Sequence, residues 1–209
     1  MTKAPRKIGI IISGGNSWEI VFCVLQIERY KFMRLPIKFD FGGVSTDAVS
    51  IEQDLSRQSH VGIEEVKATG IEGLIVPGGR RLLNCLCNFE KVGDSMKIDD
   101  SFKNLVKGIY RLEKPIGAFG ESALLVTKSL QGITRSGLVV TVGNDPMLQA
   151  GIEKCGAQAV VTRPGEVVLD ETNKIVTSGG ELGTKRVGEV YASCENLLSG
   201  MRGLIEDKD

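Results

Sequence analysis

The side chains able to do nucleophilic or metal chemistry are few. There are five cysteines, Cys23, Cys85, Cys87, Cys155 and Cys194, and one histidine, His60. A thiol attacks as its thiolate, which at neutral pH needs a nearby base, cation or helix N-terminus. With one histidine, a Ser-His-Asp or Cys-His arrangement has a single candidate base, and the polar stretch SRQSHVG around His60 reads as a loop or a helix entry. Only Cys85 and Cys87 stand close together, as C-L-C, with no C-x-x-C pair beside them. That is not a zinc-ligand pattern, and both read as small, half-buried residues; no metal and no cofactor is expected. An odd cysteine count without framework spacing argues for reduced thiols in an intracellular compartment. The remaining places for chemistry are three glycine-bearing turns: Ser13-Gly14-Gly15, Pro77-Gly78-Gly79-Arg80-Arg81 and Ala118-Phe119-Gly120-Glu121-Ser122. Each follows an apolar run. In α/β folds, ligands gather at the carboxyl ends of strands, although glycines in such turns also serve simply to let the chain bend.

Alternating strands and helices must hold these turns in place. KIGIIIS (Lys7–Ser13) is a continuous apolar run and predicts a strand buried on both faces. A helix is predicted from near Trp18, capped by Asn16 or Ser17, with Trp18, Val21, Phe22, Leu25 and Phe32 on one face and Glu19, Gln26 and Tyr30 on others. LPIKFDF (Leu35–Phe41) reads as a second strand, and residues 42–62 read as a long connection. A short helix over Ile63–Thr69 precedes a strand at Gly73–Val76. Asp99–Leu112 has helical apolar spacing, Lys114–Gly120 is the next buried strand, and ESALLVTKSL continues as a helix. Strands at Leu138–Val142 and Ala159–Thr162 flank a helix at Pro146–Cys155, and EVVLD with KIVTS forms a hairpin around Glu171-Thr172-Asn173. Val187, Val190, Tyr191, Cys194, Leu197, Leu198, Met201 and Leu204 mark a closing amphipathic helix. This order predicts an α/β fold with a parallel sheet covered on both faces. The expected organisation is a basic tail over residues 1–6, one domain over 7–205 and a short tail over 206–209.

Composition narrows the function classes. Of 209 residues, 42% are hydrophobic and 25% charged, with 26 basic and 26 acidic residues balancing to zero. No overall field draws the chain to nucleic acid, so direct nucleic-acid binding is not expected. No apolar run approaches the roughly 20 residues of a membrane helix, so no membrane insertion is expected. The start, MTKAPRK, is basic and acid-free and too short for a secretory signal; it reads as a short mitochondrial targeting sequence or as a solvated tail.

The order SGG, LIVPGG, KPIG with a sharp turn, TVGND, AGIEKCGAQ, VVLDETNKIVTS and a long terminal helix resembles the DJ-1/PfpI superfamily of class I glutamine amidotransferase-like proteins, and within it the ES1/ElbB branch. The resemblance runs from Lys7 to about Leu204 and is weakest between Gly42 and Gly62. It implies a flavodoxin-like three-layer sandwich. It also implies an activity: some members are glyoxalases or deglycases that use a cysteine on a strained strand-to-helix turn, paired with a carboxyl group. Such a thiolate adds to an aldehyde while backbone N–H groups hold the oxyanion.

Laying KPIGAFGESALL on the family's pattern puts Gly120 at the cysteine. Matching WEIVFCV to the family's acidic segment pairs Glu19 with its first glutamate and puts Phe22 at the second, the one that faces the turn. Both members of the reacting pair are therefore expected to be missing. Gly78 and Gly79 resemble the family's oxyanion donors. Arg80 and Arg81, where the family has a small or apolar pair, read either as contacts for an anion or an acidic partner or as solvated surface arginines. Ser122 and Glu121 read as helix-capping or first-turn residues, and Cys23 as a small buried residue. The resemblance then implies a catalytically inactive protein acting as a structural or protein-binding subunit of a larger assembly, or as a homodimer. Mitochondrial residence is expected by resemblance, with the cytoplasm as the alternative. The competing readings are a small-carbonyl enzyme with a displaced nucleophile and a small-molecule sensor using the emptied pocket.

Overall fold

The five residues from Ile8 to Ile12 are buried because each face of their strand meets a different helix layer. In the computed structural model, which describes residues 6–12, 18–38, 61–89 and 93–206, this strand is β1 (Lys7–Ile12). It is followed by α1 (Trp18–Arg29), β2 (Met33–Lys38), β3 (Val61–Gly62), β4 (Gly73–Val76), α2 (Arg80–Leu86) and α3 (Asp100–Arg111). Next come β5 (Ile116–Phe119), α4 (Glu121–Leu130), β6 (Val139–Val140), α5 (Pro146–Lys154) and β7 (Gln158–Ala159). The hairpin β8 (Val167–Asp170) and β9 (Ile175–Ser178), the short α6 (Gly180–Gly183) and the long α7 (Val187–Glu206) complete the order.

The main sheet runs β3-β2-β1-β4-β5-β9-β8, parallel throughout except for β8, which returns antiparallel to β9. β6 and β7 pair as a separate parallel ribbon. Period-two alternation divides the strand side chains between two cores. Ile11, Leu74, Val76 and Ala118 face α2, α3, α4 and α5, whereas Ile8, Ile10, Ile75 and Val176 face α1 and α7. Each fully buried Ile or Leu contributes roughly 1.5–3 kcal/mol relative to exposure, so these two faces hold the three-layer sandwich together. It is a flavodoxin-like α/β sandwich with a mainly parallel sheet.

Caps set the helix starts. Asp99 accepts from the amides of Ser101 and Phe102 at the head of α3, and Asp145 accepts from Leu148 N at the head of α5, with Pro146 in the first helical turn. The β8–β9 turn is built on a buried polar network. Asp170 accepts from Asn173 N, Asn173 Nδ2 and Val139 N, and Asn173 Oδ1 accepts from Tyr110 Oη on α3.

Several sequence expectations need correction. The stretch over Ile63–Thr69 is two 3-10 turns, Ile63–Glu65 and Ala68–Gly70, rather than a helix. The strands expected at Leu138–Val142 and Ala159–Thr162 shorten to two residues each, because they pair only with one another. β2 begins at Met33, two residues before Leu35. On α1 the inward face is different: Glu19, Ile20, Cys23, Val24, Gln26 and Ile27 are buried, while Trp18 and Leu25 are 46% and 51% exposed. Polar side chains occupy that face because each finds a hydrogen-bond partner there, Gln26 donating to Tyr191 Oη at 3.0 Å. Asn16, Ser17, Ser13-Gly14-Gly15, residues 42–60 and His60 lie outside the described residues.

Candidate functional site

The carboxyl ends of β4, β5 and β9 converge on Gly120, which joins β5 to α4 with φ 46° and ψ −122°. Side-chain-bearing residues rarely adopt this backbone, and a glycine holds it without the Cβ penalty. The turn is fixed from below by a bond from Gly120 N to Ser178 O at 2.8 Å. A Cβ at Gly120 would lie 3.1 Å from Leu182 Cβ and 3.3 Å from Gly179 O. The place where a side chain would project is therefore taken by Leu182 of α6.

Carboxyl groups surround this turn. Glu19, 1% exposed, accepts from Gly78 N through Oε2 at 2.6 Å and from Glu181 N through Oε1 at 2.7 Å. Glu181 reciprocates, its Oε1 accepting from Glu19 N at 3.3 Å. Glu121, also buried, accepts from Gly79 N through Oε2 at 3.0 Å. Both carboxyls converge on Gly78, where a Cβ would be 3.2 Å from Glu19 Oε2 and 3.3 Å from Glu121 Oε2. Burial pushes the Glu19 carboxyl up to about 8; the amides of Glu181 and Gly78 pull it down, and the charges of Glu181 and Glu121 push it further up. Among the described residues no group of three or more His, Cys, Asp or Glu is arranged to hold a metal ion.

Phe22 does not face the turn. Its ring stacks on Trp18 at 5.5 Å and meets Tyr191 edge-on at 5.3 Å. It is Glu19, one helical turn earlier on α1, that places its carboxyl beside Phe119 and Gly180, next to the turn. Ser122 and Glu121 do not cap their own helix, since α4 has no side-chain cap. Ser122 Oγ donates to Pro77 O, and with Glu121 it ties α4 to the Gly78–Gly79 turn. That leaves the Ser122 hydroxyl engaged and buried. Cys23 and Cys194 are both fully buried free thiols in contact, and the Cys194 thiol donates to Glu19 O at 3.8 Å. Burial, then contact with Cys23, holds the Cys194 pKa well above the ordinary thiol value, so it stays a thiol rather than a nucleophile. Arg80 is exposed on the first turn of α2, which Arg80 and Arg81 open.

Gly180, Glu181 and Leu182 were missed by sequence reasoning. The signal was available in SGGELG directly after the last apolar strand, the position where a parallel sheet presents its site. Gly180 has φ 53°, and a Cβ there would fall 2.0 Å from Glu19 Oε1, so the close approach of α6 to Glu19 requires glycine.

This geometry agrees with what comparison with known proteins finds. No family model matches the chain. The ES1 protein, mitochondrial, of Danio rerio is 26% identical over 129 residues, a match covering 56% of this chain and 46% of that protein. The matched part is thus about half the length of that relative. The crystal structure of an isoprenoid biosynthesis protein with an amidotransferase-like domain from Ehrlichia chaffeensis superposes with a TM-score of 0.81 at 22% identity, covering 95% of this chain and 99% of that one. DJ-1 of Schizosaccharomyces pombe superposes with a TM-score of 0.58 at 16% identity, covering 96% and 97%. Sheet order, turn and flanking helices give this chain the fold of these solved structures. In sequence the chain is similar to the Danio rerio ES1 protein over those 129 residues.

Proposed function

We propose that this ES1-like chain is a pseudoenzyme that serves as a protein-binding subunit of a larger assembly. One observation carries the inactive half of the reading. The strained turn that would display a nucleophile bears Gly120, and Leu182 fills the space a side chain would use. The amides of Gly78 and Gly79, which would hold an oxyanion, are already bonded to Glu19 and Glu121. A reaction of this class needs a thiolate and free N–H donors on one side of a carbonyl, and this arrangement offers neither.

The binding half is supported by the apolar side chains left outside. Trp18, Leu25 and Val187 are 46%, 51% and 44% exposed on α1 and at the head of α7, the type of surface that partner proteins cover. A mitochondrial setting is proposed by analogy with the Danio rerio relative, whose name places it there. No helix among the described residues is long and apolar enough to cross a membrane.

Two measurements test the proposal. Purified chain incubated with glyoxal or methylglyoxal should show no turnover above background; turnover that is lost in Cys23→Ser or Ser122→Ala would overturn the inactive half. Native purification from the source cell should recover the chain within a defined hetero-complex. A wholly free pool, or a homodimer alone, would overturn the binding half.

A further inference from the structure

Two thiols far apart in sequence meet where α1 packs along α7. Cys23 of α1 and Cys194 of α7 are each 0% exposed, and the Cys194 thiol donates to Glu19 O at 3.8 Å. In an α-helix that carbonyl is also the acceptor of the Cys23 amide, four residues on. The Cys194 sulfur therefore stands against the turn of α1 that carries Cys23, and the two side chains touch there. Ile20, Ile27, Val190 and Leu197 share their core. The other three cysteines lie elsewhere: Cys87 and Cys155 pack in the core on the opposite face of the sheet, and Cys85 is exposed on α2.

We propose that Cys23 and Cys194 form a modification site, a thiol pair that hydrogen peroxide converts to an intrachain disulfide joining α1 to α7. A thiol that reaches a backbone carbonyl of the facing helix does so only where the two helices approach closely. From such a contact the bond needs side-chain rotation and a closing of the sulfurs to about 2.05 Å. The reaction balances in two steps. The Cys23 sulfur attacks one peroxide oxygen: an S–O bond forms, the O–O bond breaks, and the displaced hydroxide leaves as water with the thiol proton. The Cys194 sulfur then attacks the sulfenic sulfur: the S–S bond forms, the S–O bond breaks, and the hydroxyl leaves with the Cys194 proton as a second water. Two thiols give up two electrons, and one peroxide becomes two waters.

Surroundings set the order of the two sulfurs. Burial, then contact with Cys23, keeps the proton on Cys194, so Cys23 reacts first and Cys194 resolves it. In that second step the Cys194 proton passes to the hydroxyl being displaced, and no free buried thiolate has to form. Because the resolving thiol is already in contact, the sulfenic acid is consumed before it can be oxidised further. The product fixes α1 against α7, the two helices that present Trp18, Leu25 and Val187 on their outer faces.

Peptide mapping tests this on the full folded chain, reduced, treated with limiting hydrogen peroxide, alkylated in denaturant and digested without reduction. The expected result is a linked peptide pair joining Cys23 to Cys194, two hydrogens lighter than the separate peptides together, with both residues lost from the alkylated fraction. Exposed Cys85 reports the reaction of an accessible thiol. When the chain is unfolded before oxidation, the link should lose its preference over pairings with Cys85, Cys87 and Cys155. Cys194→Ser should leave Cys23 as a sulfenic acid that dimedone traps, with far less trapped in wild type. Four results would each overturn the proposal: Cys23 and Cys194 still fully alkylatable once Cys85 is oxidised, either residue linked mainly to another cysteine, the same preference in unfolded chain, or equal dimedone trapping at Cys23 in the two proteins. Should Cys194→Ser fail to fold, the wild-type maps of folded and unfolded chain decide.

Discussion

Asp170 and Glu19 are both buried carboxyls at strand ends, one at each end of the sheet, and their surroundings differ in kind. Asp170 ends β8, just before the turn that leads into β9, with three N–H donors on it at 2.9–3.0 Å: Asn173 N, Asn173 Nδ2 and Val139 N. Glu19 lies near the opposite end of β9, with two amide donors and two carboxylates, Glu121 and Glu181. Burial by itself costs each group hydration. At Asp170 donors replace the lost water, and the result is a fixed joint between hairpin, α3 and β6. At Glu19 donors replace only part of it, and burial pushes the carboxyl up to about 8. The comparison teaches that satisfied donors mark structure, and that a carboxyl pushed up by burial, with acidic neighbours adding to the rise, marks the other end of the sheet as the candidate site.

The largest expected effect tests the structural end. Asp170→Ala leaves three N–H donors around Asn173 and Val139 without their acceptor, and should lower the unfolding free energy by about 3–5 kcal/mol in urea denaturation. A loss under about 1 kcal/mol would mean that water takes over readily, and the contrast between the two ends would fail. Next comes the site end, through its backbone. Gly180→Ala must hold φ 53° and put a Cβ 2.0 Å from Glu19 Oε1, so a cost of about 2–3 kcal/mol is expected. Part of that cost is the collision with Glu19. In a Glu19→Ala background the same substitution should therefore cost about 1 kcal/mol less, measured as a double-mutant cycle. Strict additivity would show that Glu19 and α6 are not coupled.

Much of the sheet was legible in the sequence because its strands are short apolar runs ended by glycine or proline, as in Lys7–Ile12 and Gly73–Val76. The closing helix was legible because its buried residues are nearly all apolar. α1 was not, and for a physical reason. Its buried face carries Glu19 and Gln26, so counting apolar residues turned the helix the wrong way and sent Trp18 and Leu25 inward. The same error hid the acid. A carboxyl that owes its burial to amides of Gly78 and Glu181, distant in sequence by 59 and 162 residues, gives no local periodic signal. Matching segments puts Phe22 at the family's acid position, whereas the carboxyl that lies beside the turn is that of Glu19, three residues earlier. Gly120 stood out because a glycine in a strand-to-helix turn is a local feature. Leu182 did not, since nothing near it in sequence says which turn it will cover.

The smallest expected effect is the most discriminating between the two ends. Glu121→Gln keeps an amide oxygen that can accept from Gly79 N, and the group it alters stands beside Glu19. Removing one like charge from that neighbourhood relieves repulsion about as much as the lost charge-assisted bond costs. Its stability at pH 7 should therefore stay within about 0.5 kcal/mol of wild type. The parallel exchange at the other end, Asp170→Asn, turns an –NH2 toward donors that need an acceptor, and should cost about 1–2 kcal/mol. If Glu121→Gln cost as much as Asp170→Asn, the charge of Glu121 would be held by donors rather than tolerated among acids. The carboxyl cluster at Gly120 would then be a structural joint like that at Asp170.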